Sequence, residues 1–109
     1  MQIIQYQTVE GKVPFQEWLR SIKDVNIRTR IRTRIDRLES GSFGDCRNVG
    51  GSVLELRLHF GPGYRIYFSR EGQTIVILLC GGDKSTQTQD IERAKVFWQD
   101  YLRRTREAK

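Results

Sequence analysis

The 109 residues read as one small α+β domain of order β-α-α-β-β-β-α, a mainly antiparallel sheet with helices packed against it. Three observations predict this. Residues 53–60, 64–69 and 74–80 form closely spaced strand-like runs, joined by Gly61-Pro62-Gly63 and Glu71-Gly72, turns short enough for antiparallel hairpins. Before them, apolar residues recur at helical spacing: Phe15, Trp18, Leu19 and Ile22, then Ile27, Ile31, Ile35 and Leu38. After them, Ile91, Ala94, Trp98, Tyr101 and Leu102 restore the helical period, with these residues expected inward.

Ile3, Ile4 and Tyr6 mark a short first strand. Pro14 suits the first turn of a helix, where its missing N–H costs nothing. Asp24 is the expected N-cap of a second helix that ends at Ser40 and Gly41, its outer faces carrying Arg28, Arg30, Arg32, Arg34 and Arg37. The stretch 41–52, rich in glycine, reads as a loop with room for a short extended piece. Residues 74–80 lack polar alternation, so that strand is expected to be central and covered on both faces. Gly81 and Gly82 are expected to break it. Thr86 with Gln89 resembles a capping box for the last helix, and the basic tail 103–109 is expected to fray.

At this length the chain suffices for one core, so a single domain over 1–109 is expected. No apolar run reaches the roughly 18 residues a membrane span needs, and the first residues lack signal-peptide character, so a cytoplasmic location is expected. Cys46 and Cys80 have no metal-ligand spacing and are expected to be free thiols, Cys80 buried and Cys46 exposed in its loop; no metal or cofactor is expected. The 19 Lys and Arg against 13 Asp and Glu give +6, a charge that suits a polyanion such as RNA or an acidic protein partner. Arginine predominates among the cations, and its planar guanidinium binds phosphate in bidentate fashion.

Chemistry concentrates in the first two strands of the hairpins. Side chains alternate there, so Leu54, Leu56, Leu58 and Phe60 share one face while Glu55, Arg57 and His59 share the other. After the turn, Arg65 and Tyr67 alternate with Tyr64, Ile66 and Phe68. A face presenting Arg57, His59, Arg65 and Tyr67 is suited to binding and cleaving a phosphodiester.

The segments GPGYRIYF and LLCGGDKSTQTQDIERA resemble the phage-derived addiction-module killer proteins, near the HigB branch of the RelE-like toxins, and the likeness runs from FQEWLRSI through the last helix. The resemblance implies a toxin neutralised by a cognate antitoxin of helix-turn-helix type. It further implies a ribosome-associated mRNA interferase that cleaves without metal, by attack of the ribose 2′-hydroxyl on the adjacent phosphate. Arg65 then matches the family's characteristic catalytic arginine, with Arg57 and Lys84 as further cations and His59 as a candidate acid–base group. Tyr67 is expected to stack a base or pack beneath the site, Gln87 to hydrogen-bond a nucleotide or hold the helix start, and Arg28 and Arg32 to grip RNA or an acidic antitoxin helix. The tyrosine that relatives carry early in the last helix is missing from TQTQDIERA, leaving its role to Asp90, to His59 or to the cations alone. Two alternatives stay open: a ParE-like toxin that inhibits DNA gyrase, and a catalytically silent module that binds RNA or antitoxin.

Overall fold

The computed structural model describes residues 1–107. Its elements are β1 (Gln2–Gln5), α1 (Pro14–Ser21), α2 (Val25–Glu39), β2 (Cys46–Asn48), β3 (Leu54–Arg57), β4 (Arg65–Glu71), β5 (Ile75–Gly82), a 3₁₀ turn (Lys84–Thr86) and α3 (Gln87–Glu107). The five strands form one sheet in the order β1-β5-β4-β3-β2, antiparallel except where β1 pairs in parallel with β5. The α+β class and mainly antiparallel sheet are as expected. The extended piece within 41–52 is a true edge strand, with Cys46 opposite Leu56.

Helices cover both faces of the sheet. Phe15 and Leu19 of α1 and Ile31 and Leu38 of α2 close over Leu56, Ile66, Phe68, Val76 and Leu78. On the opposite face, Ala94 and Trp98 of α3 close over Val53, Tyr67, Ile77, Leu79 and Cys80. The face expected to carry exposed Arg57, Arg65 and Tyr67 is therefore roofed by α3 over its middle. Glu55 and Tyr67 are both wholly buried. The hairpin alternation is real, but it separates two cores rather than a core from water.

Local signals explain the helix boundaries. Pro14 opens α1, and the Asp24 carboxylate accepts from the backbone N–H of Asn26 at 2.8 Å, capping α2. The start of α3 departs from expectation. Asp83 caps the 3₁₀ turn by accepting from Ser85 N–H, and the capping box pairs Asp83 with Thr86, not Thr86 with Gln89. Aspartate is the better acceptor for the unpaired N–H groups, so the cap forms earlier. The tail is helical through Glu107, because Arg103 and Arg104 both pair with Asp100. Of the stretch expected to fray, Ala108 and Lys109 lie outside the described residues.

Gly81 and Gly82 do not break β5, which continues through both. The register shifts between Tyr67 and Phe68, whose partners are Cys80 and Leu78. The bulge at Leu79 puts Leu79 and Cys80 on the same face and redirects the next two residues. Gly81 then meets the Trp18 indole of α1, and Gly82 meets Asp90 and Thr86 at the start of α3. A Cβ at Gly81 would overlap the indole, so glycine is required by close approach. Gly81→Ala should lower stability by about 1–3 kcal/mol through overpacking, read as a lower melting temperature. A further Trp18→Leu substitution should restore part of the loss.

Candidate nucleic-acid interface

The β3–β4 register sets the site, because Arg57 lies directly opposite Arg65 and Glu55 opposite Tyr67. Two guanidinium groups side by side on one face repel unless carboxylates stand near them. Arg57 has Asp45, and Arg65 has the buried Glu55. Glu55 accepts from Arg47 Nε at 2.9 Å on Oε1, and from Gln87 Nε2 at 2.9 Å and Tyr67 OH at 3.0 Å on Oε2. Arg65 Nε stands 3.6 Å from Oε2, an ion pair without a hydrogen bond. Burial alone would raise the Glu55 pKa, but the hydrogen bonds from Gln87, Arg47 and Tyr67 outweigh it and hold the carboxyl below its ordinary range.

Arg65 is consequently well held, its side chain only 11% exposed, with Nη1 donating to Gly63 O at 2.7 Å. At the end of β3, Arg57 Nη2 donates to Asp45 Oδ1 at 3.1 Å, while His59 Nε2 lies 2.7 Å from Asp45 Oδ2. The Arg57 hydrogen bond first, and then that from His59, hold the Asp45 carboxyl below its ordinary range. A carboxylate only accepts, so the neutral His59 imidazole carries its proton on Nε2 and leaves Nδ1 free as a base. His59 is 74% exposed and open to a ligand. The Nε–H groups of Arg57 and Arg65 are buried without a hydrogen-bond partner among the described residues.

These groups border two cavities that share Arg57, Leu58, His59 and Phe60. One, of about 380 Å³, is closed by Tyr64, Arg65 and the Gly61–Gly63 turn. The other, of about 590 Å³, is walled by Arg30, Arg34 and Arg37 of α2. Lys84 is exposed beside Gly63, its backbone N–H facing Pro62 O, which puts it next to the turn that binds Arg65. Asp45 is the only carboxylate lining either cavity among the described residues.

Several expected site residues lie elsewhere. Tyr67 is wholly buried under α3 and bonded to Glu55, so its ring has no face for a base; it packs beneath the site. The Gln87 amide is likewise committed to Glu55. Arg28 donates to the carbonyls of Ile22 and Lys23, tying α2 to the α1–α2 corner, and exposed Arg32 lines neither cavity. The α2 arginines at the cavity are Arg30, Arg34 and Arg37 instead. Their i, i+4, i+7 spacing, the signature of one helix face, was the available signal. Asp90 is bonded to Thr86 and lines a different cavity with Trp18, so of Asp90 and His59 it is His59 that stands among the cations. Asp45 and Glu55, which organise these groups, have no sequence motif to mark them. Tyr101 packs against the second core, as expected. Both cysteines are free; Cys80 is buried, while Cys46 is half-buried rather than exposed, its Sγ 2.8 Å from Phe43 O. Burial pushes the Cys46 thiol up to about 11 and the Cys80 thiol up to about 12, so neither supplies a thiolate near neutral pH.

A small α+β domain with a paired arginine site and a cationic groove is thus in place. Residues 17–98 match the family of phage-derived Gp49-like proteins (DUF891), and the chain belongs to that family, a toxin-like family of addiction-module killers. The family implies an antitoxin partner. The chain is also similar to an uncharacterized protein of Haemophilus influenzae, 42% identical over 92 residues that span 84% of this chain and 93% of the relative. No solved structure matches the chain significantly. Among the described residues no helix is long and apolar enough to cross a membrane.

Glu55 yields a prediction with a definite sign. Its depressed folded-state pKa means its contribution is complete above the ordinary carboxylate range, about pH 4.3, and is lost as pH falls through the folded value. Thermal melts from neutral to acidic pH should show a wild-type decline below that point, with Glu55→Gln showing less of it. At neutral pH Glu55→Gln should cost about 3 kcal/mol, because Arg65 loses its buried counter-charge.

Proposed function

We propose that the protein is the toxin of a toxin–antitoxin module and cleaves mRNA at the ribosome, inhibiting translation in the cytoplasm until a helix-turn-helix antitoxin silences it. The observation that carries this is the Arg57–Asp45–His59 arrangement, opening beside Arg65 onto a groove walled by arginines. A phosphodiester is the ligand such a groove suits, since planar guanidinium groups bind phosphate oxygens in pairs.

The chemistry follows from the placement. His59 Nδ1 takes the proton of the ribose 2′-hydroxyl, and the oxygen attacks the adjacent phosphorus. Arg57 and Arg65 stabilise the extra negative charge of the phosphorane through their guanidinium groups. The bond from phosphorus to the 5′ oxygen breaks, leaving a 2′,3′-cyclic phosphate and a 5′-hydroxyl. Lys84, beside the Arg65 turn, supplies the proton to the departing oxygen. Asp45 does not touch the substrate; it positions His59 and sets its tautomer.

Primer extension on a reporter mRNA after brief induction should show discrete cuts within the translated region. Arg65→Ala should abolish them, as should blocking translation. His59→Ala should slow cleavage about 100-fold, within the range for loss of general acid–base catalysis. Asp45→Asn should give a smaller loss with a displaced pH profile, since an amide holds the imidazole differently. Intact mRNA despite growth arrest would refute the nuclease and point to a protein target such as gyrase.

A further inference from the structure

The ridge between the two cavities ends in Phe60, and its ring is neither core nor free. Arg30 lies over it, with the guanidinium carbon 3.9 Å from the ring centroid, and Tyr64 meets it at 5.9 Å and 59°. Tyr64 is in turn edge-on to Trp18 at 6.1 Å, which ties the group to the first core. Phe60 lines both cavities and is only half-buried, so part of the ring stays accessible from the groove. On one side of the ridge stand Arg34 and Arg37, in a cavity whose one aromatic lining residue is Phe60 among the described residues; on the other stand Tyr64 and Arg65.

We infer that Phe60, backed by Arg30, is a stacking platform for one nucleobase of a single-stranded RNA that crosses the ridge. This rests on the nuclease proposed above and assigns its base subsite. A strand bound with a phosphate at Arg57 and Arg65 has its neighbouring base within the Phe60–Tyr64 cavity, while its next phosphates run toward Arg34 and Arg37. Stacking on an aromatic ring tolerates any base, because every base offers a π face. A duplex cannot use the platform, since its bases are already stacked on one another. The platform therefore confers a preference for single strands without sequence reading, and the α2 arginines make the affinity depend steeply on salt.

The test is binding of a short fluorescent single-stranded RNA, 2′-O-methylated so that it cannot be cleaved, measured by anisotropy with the intact protein. A second set of strands carries one abasic position, moved along the sequence. Phe60→Ala should weaken binding of the complete strand about tenfold, the size of one lost base stack. It should change nothing for the strand whose abasic position falls at the platform, and Phe60→Tyr should bind like wild type. Phe60→Leu, which keeps the apolar contact, serves the same comparison if the alanine variant melts early. Unchanged binding by folded Phe60→Ala and Phe60→Leu, with Arg65→Ala still abolishing cleavage, would overturn the platform and leave the nuclease standing. A wild-type protein that binds none of the strands would overturn the platform, while the nuclease itself is decided by the ribosome-dependent cuts in the primer-extension experiment.

Discussion

A buried carboxylate in a chain of net positive charge organises the rest of this molecule. Glu55 sits on β3 under the first turn of α3, where four groups from three elements converge on its two oxygens. Burying an ionised carboxylate is costly unless both oxygens are satisfied and a cation is near. Here Arg47 comes from the edge strand, Tyr67 and Arg65 from β4 and Gln87 from α3, so satisfying Glu55 registers the sheet edge, the central strand and the last helix against one another. Glu55 against Arg65, and Asp45 against Arg57, permit the two arginines to lie opposite each other on neighbouring strands. The site is a consequence of this buried interaction rather than an addition to the surface.

Close approach on both faces of β5 is the second constraint. The bulge at Leu79 reverses the alternation for the last two residues, and glycine at both lets α1 reach one face and α3 the other. The chain leaving Gly82 is delivered to the Asp83 cap and Lys84, beside the turn whose Gly63 carbonyl holds Arg65. Packing near the end of β5 thus places Lys84 beside the turn that holds Arg65. An apparent strand-breaking pair of glycines turns out to be what sustains the contact.

Charge is distributed so that one part of the surface is left unneutralised. Some acidic residues are used elsewhere: Asp100 serves Tyr6, Arg103 and Arg104 beside the β1 edge of the sheet, and Asp90 faces Arg93. Arg30, Arg34 and Arg37 have no carboxylate partner among the described residues, and Asp45 is shared by Arg57 and His59. Exposed cations without partners add little to stability, so their alignment along one groove calls for an anionic ligand. That asymmetry is the link between the fold and the nucleic-acid binding proposed above.

By itself the sequence determined the order of the elements apart from the edge strand β2, the helix capped by Asp24 and the two hairpins, because these depend on local periodicity, capping and turn chemistry. Arg65, Arg57 and His59 were legible as neighbours since strand alternation and a short turn leave few ways to separate them. Tertiary structure alone decided that α3 roofs the middle of the polar face, which withdrew Tyr67 and Gln87 from the surface and gave them to Glu55. It also decided which arginines of α2 face the groove, and that a loop carboxylate, Asp45, orients the histidine. Those outcomes depend on how helices cross a twisted, bulged sheet, and on which distant groups meet a buried charge. No local pattern carries that information, because it arises only when elements far apart in the chain compete to satisfy the same few atoms.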